Sequence, residues 1–326
     1  NATTTKDDVS MVNMLQYLYV TPYEVHSDYM NKMIYFRNPS IKSTCDLSKK
    51  GKYLFADVEG GSINHFPVRM PSPAQSLAMS LSSYRESINS GMKQIKEDYC
   101  LDVNLAPVMD FSMRDRTYFD DKNGEFDKSK FSSFVEVNKA NDIRVTYKHY
   151  PPSYHNDYRD HDQQAIAAAK KKWSKPDNAL ASGYSEVWED QYIGKRWGDV
   201  REISDDLLGD IVSSSTIYDM IMLDNALFSE SNYEPYVSSA LPQSDEFLMK
   251  FKGLIITDDL YQLNINTINI KNLFINADLF LITSIHDWRI LNKRLLETIS
   301  NDKDLLELLV KKYNKVKKAY PMKKSS

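Results

Sequence analysis

Short apolar, β-branched or aromatic runs alternate along this chain with longer stretches of 3.6-residue periodicity. That alternation predicts repeated βα units around a parallel sheet. Strands are expected near residues 15–20, 33–36, 53–57, 103–107, 143–148, 219–223, 253–257 and 278–283. Eight strands suit a closed barrel, so the expected fold is a single-domain α/β protein of the (β/α)8, TIM-like type. Helices are expected over 76–99, 128–142, 205–215, 287–299 and 302–320. In the last, Asp302 stands at the N-cap, and Leu305, Leu306, Leu309, Val310 and Tyr313 form one core-facing stripe.

Several strand runs stay apolar until they stop on ionisable or polar groups. GLIITDD ends at Asp259, IRVTYKHY passes through Lys148 and His149, LFADVEGG carries Asp57, VNLAPVMD ends at Asp110, and MIMLDN ends at Asn225. Five strands that deliver such groups to one edge of a sheet argue for an enzyme, because a barrel collects its chemistry at the C-terminal ends of its strands.

The chain of 326 residues fits one barrel with elaborations, and its 42% hydrophobic content supplies a large core. With 45 acidic against 41 basic groups, it has little long-range field for nucleic acid. Residues 1–10 read as a polar tail, 11–320 as the barrel and 321–326 as a C-terminal tail. The interval 157–206 is too long for a simple loop and holds Trp173, Trp188 and Trp197, which suits either a lid or a surface subdomain. Cys45 and Cys100 have no CxxC spacing and are expected as buried or free thiols. The six histidines, at 26, 65, 149, 155, 161 and 286, show no HExxH spacing, and no phosphate-binding glycine motif occurs, so neither metal nor cofactor is expected. The lysine-rich stretches 170–172 and 311–324 read as solvated helix faces and a frayed terminus. The polar start leans weakly towards an exported or lipid-tethered protein, with a cytoplasmic one as the alternative.

The stretches FADVEGGSINHF, NLAPVMDFS, KHYP, IMLDNALF and GLIITDDL, in that order, resemble glycoside hydrolase family 3, and most of all its single-domain bacterial β-N-acetylglucosaminidase branch. The resemblance spans roughly residues 15–290 and implies a retaining mechanism with a carboxylate nucleophile. It assigns Asp258 as nucleophile, Lys148 and His149 as the sugar-binding pair, Asp57 as a second hydroxyl-gripping carboxylate, and Arg116 as a substrate-facing arginine with Arg114 as a near alternative. Three of these have a structural alternative: Asp57 as a cap of the Glu59–Gly60–Gly61 turn, and Lys148 and His149 in a buried ion pair with a neighbouring carboxylate. Asp259 is expected to brace its loop or cap the next helix.

The acid/base loop departs from the family. It reads PPSYHNDYRDHDQQ over 151–164, which puts His161 at the expected histidine but Arg159 at the expected aspartate. Asp160 or Asp157 could support His161, and His155 competes with it for the role. Ser62 stands where many relatives carry arginine, and Asn225 where this branch often has histidine. The implied activity is removal of terminal β-linked N-acetylglucosamine from peptidoglycan fragments or chitin-type oligosaccharides, with carbohydrate the only partner expected. The rivals are a catalytically impaired sugar-binding protein on the same barrel and a β-glycosidase of other specificity.

Overall fold

A computed structural model describes residues 6–22, 32–36, 44–110, 119, 126–150, 197–225 and 246–321. Eight strands form one sheet: β1 (Tyr19–Pro22), β2 (Met33–Phe36), β3 (Tyr53–Ala56), β4 (Val103–Asn104), β5 (Arg144–Tyr150), β6 (Met220–Leu223), β7 (Leu254–Thr257) and β8 (Phe280–Leu281). Every neighbouring pair is parallel, and β8 lies beside β1. A parallel bridge between Ile256 and Leu279 brings β7 to β8, so the sheet wraps into the expected barrel. The strands are buried on both faces, which explains why they read as continuous apolar runs rather than alternating ones.

Helices α1 (Lys6–Gln16), α2 (Thr44–Lys49), α3 (Leu81–Tyr99), α4 (Lys128–Ala140), α5 (Trp197–Ser214), α6 (Glu246–Lys250), α7 (Ile270–Asn276), α8 (Ile285–Ser300) and α9 (Lys303–Ala319) accompany the strands. Their starts follow local chemistry. Ser80, Asp127, Asn269, Ser284 and Asp302 each accept a backbone N–H of the first turn, satisfying donors that would otherwise lack a partner. The Ser80 cap also explains why α3 begins at Leu81 and not at 76, where a separate 3-10 turn (Gln75–Ala78) stands.

Several further sequence expectations are corrected. The first strand begins at Tyr19, because Met11, Leu15 and Leu18 belong to a helical stripe that continues α1 through its terminal turn. That helix begins at Lys6, inside the stretch read as a polar tail. In α9 the core-facing positions are Leu305, Leu309, Lys312, Val316 and Ala319, while Leu306 and Val310 are exposed. Lys312 is therefore no solvated residue: its buried ammonium donates to Ile275 O and Ala277 O, the carbonyls at the end of α7. Burial pulls its pKa down, opposed by the Asp278 carboxylate.

Cys45 and Cys100 are not thiols. They form a disulfide, with Cα atoms 5.0 Å apart, that ties α2 to the left-handed residue closing α3. Pairing across 55 residues leaves no spacing signature, since it is the packing of α2 beside α3 that brings the two together. The interval 157–196 and its lid expectation lie outside the described residues, and α5 occupies the remainder of it from Trp197.

Closing a loop of 55 residues removes denatured-state entropy worth up to about 4 kcal/mol. The native protein should therefore show no titratable thiol, and Cys45→Ser with Cys100→Ser should lower its urea unfolding free energy by roughly 2–4 kcal/mol. A thiol titration that finds two reactive groups in the untreated protein would contradict the cross-link.

Candidate functional site

The C-terminal ends of the strands bring several of the sequence candidates together. Asp57 follows β3 directly, Asp258 follows β7, and Lys148 and His149 lie in the last turn of β5. Pairing of β5 with β6 slips by one residue between Lys148 and Tyr150, where an unbroken strand would send neighbouring side chains to opposite faces. Both residues thereby serve the same rim.

Lys148 is 2% exposed, and its ammonium sits 2.7 Å from Asp57 Oδ1 and 2.6 Å from Glu59 Oε1. The structural alternative raised for Lys148, a buried ion pair, is thus present, and it is built at the rim. Tyr35, at the end of β2, donates its phenol O–H to the other Asp57 oxygen at 2.5 Å. Burial alone would push the Asp57 carboxyl up, but the Lys148 ammonium, then His65, and the bonds from Lys148 and Tyr35 hold it well below the usual carboxylate range. Burial likewise opposes the Lys148 charge, and the two carboxylates more than reverse it, raising its pKa.

Glu59 reaches this position through a short hairpin, Val58–Gly60 against Ile63–Asn64. Gly60 and Gly61 turn it with φ of 98° and 59°, and a Cβ on Gly60 would lie 2.3 Å from Pro71 O, so only glycine fits there. Buried Asn104 on β4 clamps the hairpin by bonding both the N–H and the carbonyl of Val58. The returning strand sets His65 beside Asp57, with His65 N–H donating to Asp57 O at 3.1 Å.

His149 is buried and directs Nδ1 at Asp110 Oδ2, 2.6 Å away. A carboxylate oxygen accepts, so Nδ1 carries the hydrogen and Nε2 faces Asp258 Oδ2 at 3.8 Å, too far for a direct hydrogen bond. The Asp258 side chain keeps 20% of its surface exposed, and its other oxygen accepts the Asp259 N–H at 2.7 Å. Asp259 turns away and braces the rim: its carboxylate accepts from Tyr261 N–H, Thr283 N–H and the Thr283 hydroxyl, joining the end of β7 to the loop before α8. Asn225 packs behind it, donating to Asp259 O.

Arg116 and Arg114, and the acid/base candidates His161, His155, Asp157 and Asp160, lie outside the described residues. Tyr35, Glu59, Asp110 and His65 were given no role from sequence. Asp110 closes one of the strand runs that point to the rim, and Tyr35 is the last residue but one of another, so strand position alone was the available signal.

No protein-family model and no curated protein matches the chain in sequence. Solved structures do. Mycobacterium tuberculosis LpqI superposes with a TM-score of 0.66 at 12% identity, over 97% of this chain and 95% of that one. The β-N-acetylhexosaminidase of Beutenbergia cavernae gives 0.64 at 12% identity, over 98% of this chain and 99% of that one. A glycosyl hydrolase described as a GH3 family member, from Mycobacterium smegmatis, gives 0.62 at 13% identity, over 93% and 96%. At these identities the shared property is the fold, a (β/α)8 barrel of similar extent.

The Asp57–Lys148 pair has a signed dependence on pH. A depressed Asp57 stabilises the fold above its unfolded value of about 4, and that stability is lost as pH falls through the lower folded value. A raised Lys148 stabilises below its unfolded value of about 10.4, and that stability is lost as pH rises through the higher folded one. Urea titrations of Asp57→Asn should therefore show a shallower loss of stability below about pH 4 than the wild type. Lys148→Met leaves two buried carboxylates facing each other and should cost about 3–5 kcal/mol at neutral pH. Equal acid slopes in Asp57→Asn and wild type would refute this account.

Proposed function

We propose that the protein is a retaining exo-glycosidase that removes terminal β-linked N-acetylglucosamine from peptidoglycan fragments or chitin-type oligosaccharides. The observation that carries this reading is the partly exposed Asp258 carboxylate 3.8 Å from a carboxylate-oriented histidine, on the strand-end rim that also holds the Asp57–Lys148 pair. The fold shared with a β-N-acetylhexosaminidase supports the sugar chosen. A strand-end carboxylate next to charged hydroxyl-binding groups suits displacement at an anomeric carbon.

In this reading Lys148 and Asp57 bind adjacent hydroxyls of the terminal ring, Lys148 as donor and Asp57 as acceptor, and their mutual bond fixes both before substrate arrives. His149, held by Asp110, donates or accepts through Nε2 next to the reacting carbon. Arg116 supplies a further contact to the substrate. An Asp258 oxygen bonds to the anomeric carbon as the glycosidic C–O bond breaks, and His161 gives its proton to the departing oxygen. Water then attacks the glycosyl ester from the opposite side, yielding its proton to His161 and restoring the Asp258 carboxylate. Two inversions leave the configuration retained. Asp160 or Asp157 orients His161, and His155 is the alternative proton carrier.

Turnover of an aryl β-N-acetylglucosaminide is expected for the wild type and should fall to background in Asp258→Asn. His161→Ala should lose roughly 10²–10⁴-fold on substrates whose leaving group needs protonation. A 2-fluoro glycosyl fluoride should leave a covalent sugar on the peptide containing Asp258. Label on another residue, or full activity in Asp258→Asn, would remove the assignment, whereas tight sugar binding without turnover would favour a binding protein.

A further inference from the structure

The peptide that follows the Asp258 carboxylate is stapled to both neighbouring strands by side chains that the steps above do not use. Backbone bonds carry the sheet up to this point: Asp258 N–H donates to Leu223 O, and Thr257 N–H to Leu279 O, both at 3.1 Å. Beyond it, side chains take over the ladder. On the β8 side, Leu281 N–H is accepted by Thr257 Oγ1 at 3.1 Å and Thr283 N–H by Asp259 Oδ1 at 3.0 Å. The Thr283 hydroxyl adds a 2.5 Å bond to Asp259 Oδ2. On the β6 side, Asn225 Nδ2 donates to Asp259 O at 2.9 Å. The Asn225 amide oxygen is buried with no partner among the described residues, so this side chain serves the rim as a donor. With its carboxylate and its carbonyl both held, Asp259 presents its N–H in a fixed direction, and Asp258 Oδ1 accepts it at 2.7 Å. Asp258 Oδ2 has no hydrogen-bond donor among the described residues, and His149 Nε2 stands 3.8 Å from it.

We propose that Thr283 and Asn225 are positioning residues that give the two Asp258 oxygens separate tasks, Oδ1 anchored on the Asp259 N–H and Oδ2 turned to attack the anomeric carbon. This inference rests on the glycosidase reading of Asp258. A carboxylate turns easily about its Cβ–Cγ bond, a broad two-fold torsion, and left alone it would present either oxygen. A donor fixed on one oxygen removes that freedom before substrate arrives, so less entropy is lost on the way to the transition state. The anchor also suits the product of the step. As the Oδ2–carbon bond forms and the glycosidic C–O bond breaks, Oδ1 becomes the carbonyl oxygen of the glycosyl ester, and the Asp259 N–H goes on donating to it. Thr283 and Asn225 act through Asp259 alone, one from each side.

Two substitutions at one position separate this role from a purely structural one. Thr283→Val removes the hydroxyl and keeps the shape and the backbone N–H, whereas Thr283→Ser keeps the hydroxyl. Each is compared with the wild type in covalent labelling of Asp258 by the 2-fluoro glycosyl fluoride, in which the bond from Asp258 to the anomeric carbon forms as fluoride leaves with its electron pair. The dependence of the labelling rate on reagent concentration separates binding from bond formation, and melting temperatures set a working temperature at which each variant is folded. Thr283→Val should slow bond formation roughly 10–100-fold and leave binding of the reagent unchanged, because only the approach of Oδ2 is disturbed. Thr283→Ser should restore the wild-type rate. Asn225→Ala withdraws the support from the β6 side, should show the same split, and decides the matter if Thr283→Val does not fold. Bond formation at the wild-type rate in the folded variants, a loss confined to binding, or a Ser variant as slow as the Val one overturns the proposal and leaves Asp258 as nucleophile. Wild-type protein that takes up no label on Asp258 overturns both readings.

Discussion

Removing an ammonium from water costs several kcal/mol, and Lys148 meets that cost by lying between two carboxylates supplied from the end of β3 and the hairpin that follows it. The requirement runs in both directions. Asp57 and Glu59 would repel each other without the cation, and the cation would lose its proton without them. Satisfying it fixes the end of β5 against the end of β3 and holds the glycine hairpin closed. The same strand end delivers His149 to Asp110 and Asp258. The Tyr35 phenol and the His65 ring then complete a wall around Asp57. Several of the rim's polar contacts thus trace back to one desolvated charge.

The opposite end of the barrel follows another logic. Arg144, at the start of β5, lies over the rings of Tyr53, Tyr218 and Tyr320 at 5.3, 4.8 and 4.2 Å and donates to Ala319 O. Tyr53 and Tyr17 bond the carbonyls of Pro321 and Tyr320, so the end of α9 is fastened across the floor. Strand β5 therefore begins in a cation–aromatic cluster that stabilises the fold and ends in an ion cluster suited to chemistry, the division of labour expected of this architecture.

Much of this was legible in the sequence because parallel strands buried on both faces read as uninterrupted apolar runs, and each run's last residue marks the rim. Asp57, Lys148, His149 and Asp258 were found that way. Tyr35, Glu59 and His65 were not, because their partners are set by hairpin return and strand order, not by spacing. The contact from Lys148 to Asp57 spans 91 residues, and that from His149 to Asp110 spans 39. The buried lysine of α9 escaped notice because its charge breaks an apolar stripe that geometry nevertheless continues. The disulfide was illegible for a related reason: the proximity of two cysteines arises from helices packing side by side.

The fastening of Tyr320 and Pro321 beneath the floor has a practical corollary. The backbone leaves residue 321 on the side of the barrel remote from Asp258. A fluorophore attached at residue 321 would therefore sit away from the rim that holds Asp258. Removing Tyr320 would instead take away the nearest of the three rings that cover Arg144.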